Sequence, residues 1–182
     1  MKNKKERKPA VFLDRDGVLA EEKSYVIHKR NLEIFPYTAY CIQKFKELGY
    51  YSICISNQSA VGRGMMKMSD LQEINIFLKE QTNIDGIYCC PHYYKDNKPV
   101  CYCRKPQTGL FIQAMKDFPI DLENSYMVGD RATDIIAGQN IGIKTILLES
   151  GYGTKNLEAD VLPDYVLRDL RDVVNMLEKN IV

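Results

Sequence analysis

The sequence has almost no net charge and no long apolar run. Its 25 lysine and arginine residues are nearly balanced by 24 aspartate and glutamate residues, which leaves a formal charge of +1. Since nucleic acids and anionic membranes attract strongly basic proteins, this balance argues against both as partners, although it allows a local basic pocket. No apolar segment is long enough to cross a bilayer or to form a secretory signal, so we expect a cytoplasmic protein.

The sequence also lacks repeats, low-complexity tracts and long linkers. Its 182 residues, of which 45% are hydrophobic and 27% charged, have the size and composition of one globular domain. We expect this domain to cover residues 9–182, to act as a monomer, and to follow a flexible basic tail at residues 1–8. A nucleic-acid contact through that tail is the alternative.

Apolar, β-branched and aromatic runs alternate with segments of helical periodicity. Gly49 and Gly142 occupy positions typical of C-terminal helix caps, and Ser69 occupies that of an N-cap. The alternation predicts an α/β fold in which helices cover both faces of a parallel sheet. The expected strands are residues 10–13, 51–55, 86–89, 125–128, 144–148 and 165–167. The expected helices are residues 37–48, 70–81, 110–118, 133–141 and 170–178.

Two carboxylates follow the first predicted strand. Residues 11–18 read Val-Phe-Leu-Asp-Arg-Asp-Gly-Val, which places Asp14 at the carboxyl end of the strand, where open α/β sheets bind ligands. Alternation cannot carry both Asp14 and Asp16 outward, so the backbone should leave strand geometry after Asp14, and Gly17 helps it turn. Two acids held together suit a nucleophile with a general acid–base, or a magnesium site.

Two further segments carry groups that can bind phosphate. Ser56, Asn57 and Gln58 directly follow the second predicted strand, and their hydroxyl and amide groups can donate hydrogen bonds to phosphate oxygens. Such residues are also ordinary loop formers. Lys105 precedes a predicted helix and can act as a point charge on phosphate, while Arg104 offers a bidentate fork. Without context, this pair would be read as two exposed basic residues.

A second acidic segment follows another apolar strand. Residues 129–134 read Gly-Asp-Arg-Ala-Thr-Asp, so Asp130 can complete an oxygen-rich magnesium site with Asp14. Asp134 lies near the start of a helix, where a carboxylate also interacts favourably with the helix dipole. We expect Asp134 to support the site without binding the metal.

Together these motifs resemble a known family. The order Asp14-x-Asp16, Ser56, Lys105 and then Asp130 is similar to the four motifs of the haloacid dehalogenase superfamily of phosphohydrolases, from about residue 10 to residue 150. The segments Asp-Arg-Asp-Gly, Ser-Asn-Gln-Ser, Cys-Arg-Lys-Pro and Val-Gly-Asp resemble its histidinol-phosphatase and heptose-bisphosphate-phosphatase group. The resemblance implies a three-layer, Rossmann-like fold and a phosphatase.

Four potential zinc ligands are closely spaced between residues 90 and 103. Three thiolates and one imidazole match a structural tetrahedral zinc site, and the resembled group carries a zinc loop at this point. The alternative is a set of cysteines kept reduced, which is how we interpret Cys41, Cys54 and Cys89. We expect His28 to lie in a polar loop. The predicted ligands are Cys90, His92, Cys101 and Cys103.

The resemblance also implies a mechanism. Asp14 attacks phosphorus and forms an aspartyl-phosphate, while Asp16 protonates the leaving alkoxide and then activates water. For this, Asp16 must be protonated part of the time near neutral pH. Magnesium would be held by the carboxylates of Asp14 and Asp130 and by the Asp16 carbonyl. Ser56 and Lys105 would bind the remaining phosphate oxygens.

The intervals between the motifs bear on the substrate. Residues 17–55 and 57–104 must already hold sheet-and-helix units, which leaves no room for a folded cap domain. An open site with the zinc loop on its rim suits a substrate that is bulky beyond its phosphate. The residues expected to contact this substrate are Arg15, Tyr25, Asn57, Gln58, Arg63, Arg104 and Arg131.

Two substrates fit this interpretation. Tyr25, Arg63 and Arg104 resemble the heptose enzymes, and guanidinium groups suit a second phosphate, so we favour removal of the 7-phosphate from heptose 1,7-bisphosphate. The alternative is histidinol phosphate, whose amine could be bound by Glu21 or Glu22. Residues 129–135 resemble the histidinol enzymes, because the heptose enzymes often have lysine where this chain has arginine.

Two functions of other classes must be weighed against a phosphatase of small molecules. A catalytically silent, zinc-stapled binding module is disfavoured by the intact set of Asp14, Asp16, Lys105 and Asp130. A nucleic-acid end-processing phosphatase is disfavoured by the near-neutral charge and by the lack of a basic stripe.

Overall fold

In the computed structural model, which describes residues 6–94, 101–157 and 160–180, strands and helices alternate along the chain. The strands are β1 (Lys8–Leu13), β2 (Tyr51–Asn57), β3 (Gly86–Cys90), β4 (Ile120–Gly129), β5 (Lys144–Leu148) and β6 (Tyr165–Leu167). The helices are α1 (Thr38–Glu47), α2 (Met68–Thr82), α3 (Gly109–Asp117), α4 (Ala132–Ile141) and α5 (Leu170–Asn180), with short 3-10 helices at Lys29–Asn31 and Gly153–Asn156.

The strands form one parallel sheet in the order β3-β2-β1-β4-β5-β6. The chain runs outward from β1 to β3, then returns to the other side of β1 with β4, so the gap between β1 and β4 is a topological switch point. Leu13 pairs with both Cys54 and Val128. The residues that follow these positions therefore emerge together at one edge of the sheet.

Apolar residues fill both sides of the sheet. Val11 and Leu13 belong to one buried cluster, with residues of α1, α2 and α5, whereas Ala10 and Phe12 belong to a second cluster, with residues of α3 and α4. This burial on both faces explains why β1 is a continuous apolar run without alternation. The three-layer, Rossmann-like fold expected from the sequence is confirmed.

The element boundaries agree with the sequence-based expectations to within two residues, except at the start of β4, and the N-cap of α2 also differs. Strand β4 begins at Ile120, five positions before the expected residue 125, because Lys8 pairs with Ile120 beyond a break in the register. The N-cap of α2 is Lys67, not Ser69, since the Asp70 carboxylate accepts a hydrogen bond from the Lys67 backbone N–H at 2.7 Å.

The structure can be compared with the expectations of an N-terminal tail and of no cap domain. Residues 1–5 of the tail predicted at 1–8 lie outside the described residues, and β1 already begins at Lys8. Among the described residues, the connections that follow the strands contain no folded cap domain. No described helix is both long and apolar enough to span a membrane.

Candidate active site

Three carboxylates converge at the switch point. Asp14 follows the central strand β1, and its backbone N–H donates to the Val128 carbonyl at 3.0 Å; Asp130 follows β4. Asp134 reaches the same point from the first turn of α4. One carboxylate oxygen of each lies within 4.8 Å of the others, and all three residues are buried. The structure thus brings together the acids of the first and last motifs.

Lys105 provides the compensating positive charge. Its Nζ lies 3.0 Å from Asp14 Oδ1 and 2.7 Å from Asp134 Oδ1, and it donates to the Ile55 carbonyl at 2.6 Å. Burial disfavours the charged ammonium, but the attraction of Asp134 and Asp14 outweighs burial and raises the pKa of Lys105 above its ordinary value. The ammonium is therefore fixed beside the nucleophile predicted from the sequence.

Asn57 holds the backbone of Lys105. Its Oδ1 accepts from the Lys105 N–H at 2.9 Å, and its Nδ2 donates to the Lys105 carbonyl at 3.1 Å. We expected Asn57 to contact substrate; it does line the cavity described below, but its amide is engaged by the protein. The contact places Lys105 across 48 positions of sequence.

Asp130 has the features of a metal ligand. Its Oδ2 accepts from the Tyr152 N–H at 2.9 Å, whereas its Oδ1 is buried and has no partner among the described residues. Burial, followed by repulsion from Asp14 and Asp134, raises the pKa of Asp130 to about 7. An unpaired carboxylate oxygen among other carboxylates suits a hard divalent cation, so Asp14 and Asp130 fit magnesium.

Asp134 has less capacity for a metal than its position suggests. Its Oδ2 accepts from the backbone N–H groups of Asp130 and Arg131 at 3.2 and 3.1 Å, and its Oδ1 faces Lys105. A Cβ added to Gly129 would lie 2.1 Å from Asp134 Cβ, so only glycine allows this close approach. These contacts engage both oxygens of Asp134, and its supporting role stays a prediction.

Asp16 is not one of the three clustered carboxylates. Both of its oxygens accept hydrogen bonds from Arg15, and Gln58 donates to Oδ2. Gln58 also donates to Ser56 Oγ at 2.8 Å, so it connects Asp16, in the loop after β1, to the end of β2. About a fifth of the Asp16 side chain stays exposed toward the cavity.

A cavity of about 420 Å³ opens above these groups, and arginines stand on its rim. The Arg63 guanidinium lies 3.6 Å from the centre of the Tyr93 ring and 5.7 Å from that of Tyr25. Arg104 Nη1 donates to the His92 carbonyl at 3.5 Å. The rim therefore combines positive charge with tyrosine rings; Tyr25, Arg63 and Arg104 all line the cavity, and their contact with substrate stays a prediction.

Arg131 and Glu22 form an ion pair on the same rim. Arg131 Nη2 lies 3.2 Å from Glu22 Oε1, and its guanidinium lies 4.1 Å from the Tyr152 ring centre. Burial raises the pKa of Glu22, although Arg131 acts in the opposite direction. Glu21 does not line this cavity. Only one of the two acids considered for an amine thus reaches the cavity, and an arginine engages it.

Three cysteines and one histidine form a compact cluster beside the cavity. The three Sγ–Sγ distances are 3.2, 3.2 and 3.6 Å, and His92 Nδ1 lies 3.2 Å from one sulfur and 3.5 Å from another. A tetrahedral zinc with Zn–S bonds near 2.3 Å requires sulfurs about 3.8 Å apart, which is a few tenths of an ångström more than these separations, so the cluster is compact enough to hold such an ion after a small outward shift of the thiols. Its members are Cys90, His92, Cys101 and Cys103.

The cysteines of the cluster differ in how readily they form thiolates. Burial disfavours the Cys101 thiolate, but hydrogen bonds from Tyr94 and Cys103 lower the pKa of Cys101 to about 6. Burial raises the pKa of Cys90. Of the three cysteines outside the cluster, which we expected to be small buried residues, Cys41 and Cys54 are buried but Cys89 is only half-buried. His28 lies in an exposed loop, where its Nδ1 accepts from the Arg30 N–H at 3.2 Å.

The cavity wall and the cluster are joined. The Gly62 N–H donates to the Pro91 carbonyl at 2.9 Å, and a Cβ on Gly62 would lie 2.6 Å from the Tyr93 nitrogen. The loop after β2 therefore lies directly against the segment after β3. Sequence reasoning missed Tyr93 and Tyr152, although both follow strand ends and that position was the available signal.

The sequence of this chain is similar to those of known proteins. The HAD-hydrolase-like family model matches residues 102–173. The D-glycero-beta-D-manno-heptose-1,7-bisphosphate 7-phosphatase of Helicobacter pylori is 39% identical over 145 residues, with 76% of this chain and 82% of the relative covered. The D-glycero-alpha-D-manno-heptose-1,7-bisphosphate 7-phosphatase of Photorhabdus laumondii is 40% identical over 156 residues, with 79% and 84% covered.

A solved structure shares the whole fold. The D,D-heptose 1,7-bisphosphate phosphatase from B. bronchiseptica, crystallised with magnesium and phosphate, superposes with a TM-score of 0.84 at 27% identity. The match covers 94% of this chain and 99% of that one. The similarity thus extends through both halves of the sheet and all the site-bearing strands.

We predict that magnesium binds more weakly at acidic pH. With a pKa of about 7 instead of its ordinary 3.8, Asp130 is mostly protonated at pH 6 and must lose that proton to bind the ion. The magnesium affinity, measured by calorimetry, should fall about tenfold between pH 8 and pH 6. Metal-free protein should lose stability as pH rises from about 4 to 7, because there the folded state binds more protons than the unfolded one.

The variant Asp130→Asn is the control for this titration. It should bind magnesium poorly and should lose this part of the pH dependence of metal-free stability. A magnesium affinity in the unmodified protein that is the same at pH 6 and pH 8 would contradict the assignment of Asp130 as a ligand.

Proposed function

The chain belongs to the heptose-bisphosphate phosphatase family of HAD-like hydrolases, and we propose that it removes the 7-phosphate of D-glycero-D-manno-heptose 1,7-bisphosphate. One observation carries the proposal: Asp14 and Lys105 line a cavity whose rim bears arginines, and a carboxylate oxygen of Asp130 lies within 4.8 Å of Asp14. This arrangement suits a substrate with one phosphate at the base and a second negative group at the rim.

The contacts of Asp14 select its attacking oxygen. Oδ1 is held by the Arg15 N–H at 2.8 Å and by Lys105 at 3.0 Å. No described residue donates a hydrogen bond to Oδ2, which leaves this oxygen for attack on phosphorus. The new Oδ2–P bond forms as the bond from phosphorus to the sugar oxygen breaks, giving an aspartyl-phosphate.

Asp16 handles the protons of both steps. It gives a proton to the departing sugar oxygen and then takes one from the water that attacks the aspartyl-phosphate, which returns Asp14 to its free form and releases phosphate. Ser56 and Lys105 would bind the oxygens of the phosphoryl group; the proposal is supported by Lys105, which lines the cavity, and by the position of Ser56 beside Gln58 at the end of β2. Asp14 and Asp130, with the Asp16 carbonyl, would hold magnesium, which when bound neutralises the negative charge of the phosphate oxygens.

The rim favours a bisphosphate over an amine-bearing monophosphate. Arg63 and Arg104 direct positive charge at the cavity, and their planar guanidinium groups can bind phosphate in a bidentate manner. Histidinol phosphate would need an acid for its amine, but Glu22 is paired with Arg131. The two relatives are named for opposite anomers of the sugar, so the anomer is an outcome of the test below.

We also propose zinc in the Cys/His cluster and a cytoplasmic enzyme that works as a monomer. Thiolate ligands persist where thiols are kept reduced, which supports a cytoplasmic location. The near-neutral charge supports a small sugar phosphate as the partner instead of a nucleic acid.

The function is tested by comparing substrates. Catalytic efficiency on both anomers of heptose 1,7-bisphosphate should exceed that on histidinol phosphate at least about tenfold, the factor expected from one well-placed ionic contact. The Asp14→Asn variant, which keeps the shape of the side chain, should fold normally and lose turnover to background. A preference for histidinol phosphate would overturn the substrate, and normal turnover by Asp14→Asn would overturn the mechanism.

The zinc assignment predicts a specific loss of metal. Protein prepared without chelators should contain about one zinc per chain by elemental analysis. Cys103→Ser removes one ligand and should lower both the zinc content and the unfolding temperature, because binding of a structural metal is coupled to folding. Cys89→Ala, which changes a thiol outside the cluster, should keep its zinc. Absence of zinc from the unmodified protein would refute the assignment.

Arg104 should discriminate between substrates. Its removal in Arg104→Ala should lower catalytic efficiency on the bisphosphate about ten- to a hundredfold, as expected for loss of a charge-assisted hydrogen bond. Nitrophenyl phosphate, which is too small to reach the rim, should be affected much less. Arg30→Ala, at an exposed arginine outside the cavity, is the matched control. Equal losses on both substrates would place Arg104 in the phosphoryl site instead.

A further inference from the structure

We propose that Arg15 and Gln58 are positioning residues for Asp16 and not substrate ligands. Resting on the proposed phosphatase function, this inference assigns a role to two side chains that sequence reasoning placed against the substrate. Arg15 is unusually buried for an arginine: it is the largest of the fully buried side chains, with only 1% of its surface exposed. A guanidinium is seldom buried unless it is paired.

The partner of Arg15 is the neighbouring residue. Arg15 Nε lies 3.0 Å from Asp16 Oδ1, and Arg15 Nη2 lies 2.8 Å from Asp16 Oδ2, so the fork binds both oxygens. Such a bidentate contact fixes the plane of the carboxylate as well as its distance. The Arg15 carbonyl accepts from the N–H groups of Leu19 and Ala20, so the backbone that carries the fork is itself held in the turn.

Gln58 completes the arrangement from the neighbouring strand. Its Nε2 lies 3.0 Å from Asp16 Oδ2 and 2.8 Å from Ser56 Oγ, and only 5% of the residue is exposed. Asp16 Oδ2 thus receives two donors and Oδ1 receives one. The less occupied Oδ1 retains acceptor capacity for a proton exchanged with the cavity, toward which the exposed part of Asp16 faces.

This geometry matters because Asp16 must act twice from one place. In the first step its proton goes to the sugar oxygen, and in the second it takes a proton from water that approaches the same phosphorus. Positional errors near 1 Å can cost about a hundredfold in rate. A carboxylate held on two sides by buried donors reaches both positions without a search among rotamers. Arg15 and Gln58 should therefore affect turnover and leave substrate binding nearly unchanged.

The test is a double-mutant cycle on steady-state turnover of nitrophenyl phosphate, which requires only a phosphatase and not the heptose substrate. In the unmodified enzyme, Arg15→Lys, which keeps the charge but loses the fork, and Gln58→Met, which keeps the volume but loses the donor, should each lower kcat about tenfold or more with KM changed less than about twofold. In the Asp16→Asn background, each of these substitutions should lower kcat by a further factor of less than about two, because the carboxylate that transfers the proton is already absent.

Direct binding of substrate predicts the opposite pattern. If Arg15→Lys or Gln58→Met raises KM, or costs the same factor with and without Asp16→Asn, the inference is wrong. Arg30→Lys, an exposed and matched change, controls for the loss of a guanidinium. Thermal unfolding shows whether each variant folds; should Arg15→Lys fail to fold, the Gln58→Met cycle decides. Failure of the heptose assignment would appear separately, as poor turnover of the bisphosphate by the unmodified enzyme.

Discussion

The buried ammonium of Lys105 makes the rest of the site possible. Three buried carboxylates at one edge of a sheet repel one another, and a positive charge placed between Asp14 and Asp134 offsets that repulsion. Much of the local structure serves to keep this charge in place. Asn57 binds the backbone of Lys105 on both sides, and the Ile55 carbonyl accepts from its Nζ. Asp130 has no such positive partner among the described residues, so a divalent cation held with Asp14 would supply the charge that it lacks.

Close packing of backbone against carboxylate is the second constraint. A Cβ on Gly17 or Gly151 would lie 2.3 or 2.1 Å from Asp130 Oδ2, and one on Gly129 would collide with Asp134. Gly17 also adopts a φ of +83°, which glycine tolerates and other residues rarely do. The glycines of the first and last motifs therefore create the space in which the acids meet, as well as the turns that carry them.

The strands, the helices and the edge of the sheet at which the polar residues meet could be predicted from the sequence, because they depend on regular physical rules. Parallel strands end at a common edge, so polar residues after β1, β2 and β4 had to converge there. The partners of individual side chains could not be predicted. Arg15 binds its neighbour Asp16 only because a turn redirects the chain, and Asn57 and Gln58 are engaged by residues distant in sequence. Tyr93 and Tyr152 lie in loops whose course depends on packing without a periodic pattern.

The strand order also places the catalytic acids and the rim residues in regions of different local stability. Asp14 and Asp130 extend from β1 and β4, which lie at the centre of the sheet with two strands outside each, whereas the rim residues lie on connecting loops. Regions that open first in proteins are those with few buried contacts, and central strands open last. Local opening should therefore widen the entrance while the acids at its base stay in register. In amide hydrogen exchange, the backbone around Val11 and Val128 should be among the slowest to exchange, while the loop around Arg63 exchanges early.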